Sequence, residues 1–336
     1  MIEINIKDGD AGQRLNKYLM KYLSLAPSSF VYKMLRKKNI VLNDKKAQGD
    51  EIIKSGDVIK LYLADETIAK FKGDKGLVTS DKSWVTNLSR NLKILYEDSD
   101  IMAVHKEPGI LSQKANKEDY SINEAIVDYV ASSDSYNHSE TFKPSVCNRL
   151  DKNTSGIILA GITLKGSQYL SRVLKDRSID KYYFTIVKGE LKNNITCEAY
   201  ISKDSDKNLS KVITCEDFIT MNKHGDLNFR DYSKIVTEFI PISTNKKSTL
   251  LKIKLITGKS HQIRAHLKHL GFPLAGDMKY GDKTYNSYMK DKYRLKTHLL
   301  HAGIVKLSDN LVINDPLPEI FIKICEGEKL DVKSII

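Results

Sequence analysis

The sequence predicts an α+β protein whose larger part carries a mixed, largely antiparallel central sheet flanked by helices and loops, preceded by a small α+β module. Three observations support this. Strand-like and helix-like runs follow one another without regular βα alternation, which argues against a parallel, doubly wound sheet. A polar stretch at residues 64–91 divides a short basic segment from the rest. The 336 residues, 41% hydrophobic and 29% charged, suffice for more than one domain and a sizeable core.

The module spans residues 1–63. Leu15, Leu19 and Leu23 keep helical spacing, and a second helical run, Phe30, Val31, Met34 and Leu35, follows the start signal Pro27-Ser28-Ser29. Ile40–Leu42, a turn at Asn43-Asp44, Ile52-Ile53 and, after Gly56-Asp57, Val58–Tyr62 read as short strands joined by tight turns. From Arg14 to Lys46 stand nine basic residues against Asp44 alone, in a chain of net charge +12. Arg14, Lys17, Lys33, Arg36, Lys37 and Lys38 lie on or beside the two helices. Their cationic sides are expected to lie together as a phosphate-binding footprint, so nucleic acid is favoured over a merely solvated face.

Residues 64–91 are polar, carry Gly73-Asp74 and Lys75-Gly76 and show no sustained period, so they read as a linker that leaves the module mobile against the body. Trp84, the sole tryptophan, is expected to dock on one of the domains, with nucleic-acid stacking as the alternative. In the body, residues 92–330, Leu92–Tyr96 and Ile101–Val104 are β-rich, and Ile122, Ala125, Ile126 and Val130 keep helical spacing. Gly156–Leu164 is a continuous apolar strand, Gly166–Lys175 an amphipathic helix and Tyr182–Val187 another strand. Further strands are expected at Leu250–Ile256 and Leu311–Ile313, with a helix from His261 to Leu270 between them.

No run approaches the roughly 18 apolar residues of a membrane span, and Met1–Asp10 is acidic and polar, so a cytoplasmic protein is expected. Cys147, Cys197, Cys215 and Cys325 stand alone, without a Cys-x-x-Cys pair or a nearby His. They point to reduced, mostly buried thiols and no metal site.

Two segments could carry chemistry. Cys147-Asn148-Arg149-Leu150-Asp151-Lys152-Asn153-Thr154-Ser155-Gly156 sets a carboxylate, Asp151, at the mouth of a core strand; taken alone, it reads as a turn, because these side chains bond the local backbone. The second is Thr257-Gly258-Lys259-Ser260-His261-Gln262-Ile263-Arg264-Ala265-His266-Leu267. Ile263, Leu267 and Leu270 give it an apolar face, while His261, Arg264 and Lys268 share another. An arginine at a buried edge can hold a carboxylate ionised and fix its direction, although spacing alone leaves a basic RNA-facing or solvated surface open.

Arg14–Leu19, Ser29–Arg36 and Val41-Leu42-Asn43 resemble the alpha-L motif, a small RNA-binding domain first known from a ribosomal protein. Arg149-Leu150-Asp151-Lys152-x-Thr154-Ser155-Gly156, Lys181-x-Tyr183 before Val187-x-Gly189, and Thr257-Gly258-x-x-His261-Gln262-Ile263-Arg264-x-His266-Leu267 with Gly276-Asp277 and Tyr280-Gly281 resemble, in that order, the RluA/RluC/RluD family of pseudouridine synthases. This second resemblance runs from about Leu92 to Ile324. The leading module is similar to that of the family's ribosomal-RNA branch, and Ser28–Ile40 most resembles the RluC type.

The resemblance implies an enzyme that isomerises uridine to pseudouridine in large-subunit ribosomal RNA. It implies Asp151 as the catalytic aspartate, Tyr183 as the active-site tyrosine, Arg264 as the arginine pairing with the aspartate and Arg149 as the residue that fills the space of a flipped base. Lys259 and His261 are expected at the RNA; Ile263 and Leu150 are read as packing. Asn148 replaces a commoner His and Lys259-Ser260 a commoner Arg-Thr, which bears on RNA contacts rather than on catalysis. The chemistry requires no cofactor or metal. The expected partner is structured RNA, bound in a salt-sensitive way by a monomer without an obligate protein partner. The rivals are a transfer-RNA synthase, a non-catalytic assembly factor that binds ribosomal RNA, and a glycoside hydrolase, which would need a second acid facing Asp151 and finds only scattered surface candidates such as Glu238.

Overall fold

The computed structural model of the chain describes residues 1–72, 83–116, 118–119, 121–133, 139, 141–204, 209–223 and 231–332, with 83–86 described by their backbone alone. The first 71 residues form β1 (Ile2–Asn5), α1 (Leu15–Tyr22), α2 (Ser28–Arg36), β2 (Ile40–Leu42), β3 (Lys45–Lys46), β4 (Val58–Leu61) and α3 (Asp65–Phe71). The strands pair antiparallel in the order β1-β4-β2-β3. Asn43 and Asp44, with φ of 50° and 59°, make the tight β2–β3 hairpin, a conformation their short polar side chains tolerate. Leu15, Leu19, Val31 and Leu35 from the two helices, with Leu23 just past α1, bury against Ile40, Ile59 and Leu61 of the sheet.

Here the structure departs from the pattern-based reading. Ile52-Ile53 forms no strand: Ile52 makes a single bridge to Arg14, and Ile53 fills the core. The stretch 64–91 carries two helices, α3 and α4 (Ser83–Arg90), each too short to display a period in sequence. α3 buries Ile68 and sets Phe71 against Phe30, with ring centroids 4.6 Å apart. The side chain of Trp84 lies outside the described residues.

The module also touches the body. Buried Asp10 accepts hydrogen bonds through Oδ1 from the Ser139 and Thr141 hydroxyls, the latter at 2.7 Å, and Gln168 Nε2 donates to Gly12 O at 3.2 Å.

The body continues with β5 (Ile94–Glu97), β6 (Ile101–Lys106), α5 (Ile122–Ala131), β7 (Ser145–Val146), β8 (Ser155–Gly161), α6 (Leu164–Lys175), β9 (Asp180–Lys188), β10 (Ile195–Asp204), β11 (Leu209–Ile213) and α7 (Cys215–Lys223). It ends with β12 (Tyr232–Thr244), β13 (Ser248–Leu255), α8 (Gln262–His269), α9 (Lys283–Tyr293), β14 (Leu300–Ser308), β15 (Leu311–Asn314) and α10 (Glu319–Glu328). Its 11-stranded sheet runs β11-β10-β12-β13-β9-β14-β8-β6-β5, with β15 on β14 and β7 on β8. Among the described strands only β14 and β8 pair in parallel, so the mixed, largely antiparallel reading holds.

Both faces of the sheet centre are covered, which is why β8 is buried throughout and apolar from Gly156 on. Ile158 and Ala160 face one core with Ile253, Ile263 and Leu267, while Ile157 and Leu159 face another with Leu170 of α6. The thiols are free, but only Cys325 is buried. Cys147, Cys197 and Cys215 are half-buried, against the expectation of mostly buried thiols, because the first two pack only at cluster edges. No described helix is long and apolar enough to cross a membrane.

Candidate active site

Asp151 is both a turn residue and part of a polar constellation. The Thr154 N–H donates to Asp151 O at 3.0 Å, closing the turn before β8, while the carboxylate stays 26% exposed at the strand mouth. Around it the loop is tied to neighbouring segments. Ser112 Oγ bonds both Leu150 O (3.0 Å) and Leu150 N (2.9 Å). Asn148 pins the loop to β8 by donating to Ile157 O (3.2 Å) and accepting from Leu159 N (2.7 Å), so it is a scaffold residue. Thr154 and Ser155 hydroxyls bond the rings of His298 and His301, each at 2.9 Å.

Lys106, at the end of β6, is fully buried and reaches the same loop. Its Nζ donates to Glu107 O (2.9 Å), Ile110 O (2.9 Å) and Lys152 O (3.0 Å). Burial lowers its pKa to about 7, outweighing the charges of Asp151 and Glu107, which raise it. Each of its three N–H groups has a carbonyl, which favours the ammonium form.

Arg264 approaches from α8, whose apolar face, Ile263 and Leu267, is packed in the core. Its Nη1 donates to Asp151 Oδ2 at 2.8 Å, while Nε and Nη2 grip both oxygens of Asp277 at 2.7 and 2.9 Å. Asp277 is enclosed and also accepts from the Lys279 and Tyr280 N–H groups. Burial works against its charge, but the Arg264 bonds and charge outweigh it and hold Asp277 below the usual carboxylate range. Burial likewise opposes the Arg264 charge, and the two carboxylates prevail. The guanidinium also lies 5.1 Å from the Tyr280 ring centroid.

Tyr183, on β9, is buried; burial and then the Asp151 charge push its phenol well above its ordinary value. His261 precedes α8 with φ 56°, and its Nδ1 bonds Tyr280 Oη at 2.9 Å; burial lowers its pKa, so near neutral pH it is an uncharged ring. Arg149 and Lys259 are exposed, on the Asp151 loop and the loop leading to α8. The structure thus gathers Asp151, Tyr183, Arg264 and His261. Arg14, Lys17, Lys33, Arg36, Lys37 and Lys38 are all exposed on the separate module. Lys33 and Arg36 line, with Lys46 and Tyr32, a cavity of about 450 Å³; the other four lie outside that lining.

Asp277, Lys106, Ser112 and His298 had no role in the sequence reading. Gly276-Asp277 was visible as a motif, and Lys106 as a charge ending an apolar strand, but their partners are remote in sequence. Among the described residues no group of three or more His, Cys, Asp or Glu is placed to hold a metal.

A sequence model of the RNA pseudouridylate synthases matches residues 100–269, half of the chain. The chain is 25% identical over 335 residues to ribosomal large subunit pseudouridine synthase C of Vibrio vulnificus, covering 96% of this chain and 95% of that one. It is 29% identical over 303 residues to the protein of the same name from Rickettsia prowazekii, covering 89% and 90%. Among solved structures, human RNA pseudouridylate synthase domain containing 4 superposes with a TM-score of 0.56 at 19% identity, covering 74% of this chain and 97% of that one, a likeness of fold.

Proposed function

This chain belongs to the RNA pseudouridylate synthase family, and from that premise we propose that it isomerises specific uridines of large-subunit ribosomal RNA with Asp151 as the reacting carboxylate. The observation that carries the assignment of Asp151 is its pairing with Arg264: one partly exposed carboxylate aimed by a guanidinium that a second, enclosed carboxylate immobilises. The reaction breaks the N1–C1′ bond and makes a C5–C1′ bond, taking one proton from C5 and placing one on N1. It is redox-neutral. Asp151 acts on the ribose either as nucleophile at C1′ or as base, and each role requires the free oxygen that Arg264 does not occupy. Tyr183 keeps its proton, which favours stacking on the uracil over proton abstraction by a resting phenolate.

The target atoms are out of reach in a stacked helix, so the uridine leaves the stack at a cost of about a few kcal/mol, offset by phosphate and stacking contacts. Arg149, exposed beside Asp151, is suited to fill the vacated space, and the basic module, with Lys33 and Arg36, to hold the surrounding RNA. Relatives named as ribosomal large subunit enzymes, aligned over nearly the whole chain, favour ribosomal over transfer RNA. We place the enzyme in the cytoplasm as a monomer.

The test is pseudouridine mapping of ribosomal and transfer RNA from cells lacking this protein, complemented with wild type or Asp151→Asn. Discrete large-subunit sites are expected to vanish and to return with wild type only. Full restoration by Asp151→Asn would remove Asp151 from the reaction, and no lost site in either pool would leave the assembly-factor reading.

A further inference from the structure

The Tyr280 hydroxyl decides which ring nitrogen of His261 carries the proton. Tyr280 is buried, and its oxygen accepts from the Ser210 N–H of β11 at 2.6 Å, a backbone group that can only donate. A buried hydroxyl needs an acceptor for its own proton. Among the described residues the acceptor it meets is His261 Nδ1, at 2.9 Å. Nδ1 is therefore bare, and the neutral ring carries its proton on Nε2.

That N–H is unspent. Among the described residues Nε2 has no hydrogen-bond partner, and it is not one of the enclosed side-chain atoms left without one, which are Asn16 Oδ1 and Ser167 Oγ. His261 is half-buried, with its Nδ1 edge against buried Tyr280, so the Nε2 edge is the open one. The ring stands three residues before Arg264, and Tyr280 contacts both: its centroid is 5.6 Å from that of the imidazole and 5.1 Å from the guanidinium that grips Asp151. Of the charges that act on His261, that of Asp151 is the largest. A neutral donor with a fixed proton thus stands in the neighbourhood of the reacting carboxylate.

The reaction has a use for one. Whether Asp151 attacks C1′ or acts as a base, the electron pair of the N1–C1′ bond leaves with the uracil, whose negative charge spreads over N1, O2 and O4. The base then turns about the axis through N3 and C6, which brings C5 to the place of N1 and exchanges O2 with O4. One stationary N–H therefore meets a carbonyl oxygen before the turn and after it. C5 bonds to C1′ and loses its proton, N1 gains one, and the donor keeps its own.

We propose that His261 is a further catalytic residue, whose Nε2–H donates to a uracil carbonyl oxygen and holds the detached base while it turns. This rests on the synthase reading and deepens it. A hydrogen bond to an anion is stronger than one to a neutral carbonyl, so the contact favours the detached base over the bound uridine.

The test follows tritium release from a large-subunit ribosomal RNA transcript carrying tritium at uridine C5, with wild type, His261→Phe and His261→Gln. Both variants remove the acceptor for Tyr280, but the glutamine amide restores an N–H near the place of Nε2, so the difference between them isolates the donor. His261→Phe is expected to lower kcat about a hundredfold with KM little changed, and His261→Gln to recover most of that loss. Unchanged kcat in His261→Phe, or equal losses in the two variants, would overturn the proposal. Nitrogen-15 shifts of histidine-labelled protein near neutral pH give a readout independent of turnover: the resonances that vanish in His261→Gln are expected to show a protonated Nε2 and a bare Nδ1, and the reverse would also overturn it. Failure of wild type to release tritium from any ribosomal RNA would remove the synthase reading and the proposal with it, whereas release that His261→Phe leaves intact removes the proposal alone.

Discussion

At Arg264 three hydrogen bonds are shared unequally between two carboxylates: two go to Asp277, which is enclosed, and one to Asp151, which is not. The enclosed partner fixes the guanidinium, and the guanidinium fixes the exposed one. His298, from beneath the same loop, adds a proton-linked element. Burial, and then the Arg264 charge, lower it to about 4 from an ordinary 6.5; burial and then His269 do the same to His266. Between those values the unfolded chain takes up protons that the fold excludes. Stability is therefore full above about pH 6.5 and falls as pH drops toward 4, by up to about 3 kcal/mol for each ring. Asp277, depressed by Arg264, keeps its contribution throughout that window and loses it only below about pH 4. Denaturant unfolding at pH 7 and 4.5 checks this: His298→Gln, which can still bond Thr154, is expected to lose about 2 kcal/mol less than wild type over the interval. An equal loss would mean that His298 is not the excluded proton site.

At the scale of elements, the Asp151 loop depends on how β8 begins against β14. Gly156 stands there with φ +116°, and a Cβ would lie 2.3 Å from Ala302 O. Gly156→Ala is expected to destabilise the protein by about 3 kcal/mol and to lower turnover, since parting β8 from β14 shifts Asp151 five residues earlier. Gly109, with φ +91° and open space around its Cβ position, isolates the backbone cost; Gly109→Ala is expected to lose only about 1 kcal/mol. Comparable losses in unfolding experiments would mean that contact with β14 is not what holds the loop. The elements the sequence reading left out have a common cause. β10 (Ile195–Asp204) buries only Ala199 and Ile201, β12 (Tyr232–Thr244) only Ile235, Thr237 and Phe239, and α9 only Tyr285, Met289 and Tyr293, spaced by four, so each carries few core residues in an otherwise polar or partly exposed run. That last spacing was present in the sequence and is a weak but readable helical signal.

For the whole molecule, the charge distribution sets the basic module apart from the Asp151 loop. The exposed cations of the module are distant in sequence from Asp151 and lie on or beside α1 and α2, which pack with their own sheet around a separate core. Replacing Lys33 and Arg36 together by Glu is expected to raise KM for ribosomal RNA at least tenfold and to reduce the salt slope by about two, with kcat and the unfolding midpoint little changed. An unchanged slope would take the RNA surface away from this cavity. The bonds from Asp10 to Ser139 and Thr141, and from Gln168 to Gly12, attach the module to the body, where the polar linker alone had indicated free movement.

The sequence by itself determined what depends on local order: the α+β class, the two helices and hairpin turn of the module, β8 as a double-faced core strand, and the segments that carry Asp151, Tyr183 and Arg264. These follow from periodicity, turn chemistry and motif order, all of them properties of neighbouring residues. The tertiary structure decided what depends on partners far along the chain. It alone joined Asp277 through Arg264 to Asp151, brought Lys106 and His298 to the same loop, and turned Asn148 from a candidate RNA contact into a strand pin. A buried charge is tolerated only where the fold supplies its counterpart, and no local pattern records which remote group that is.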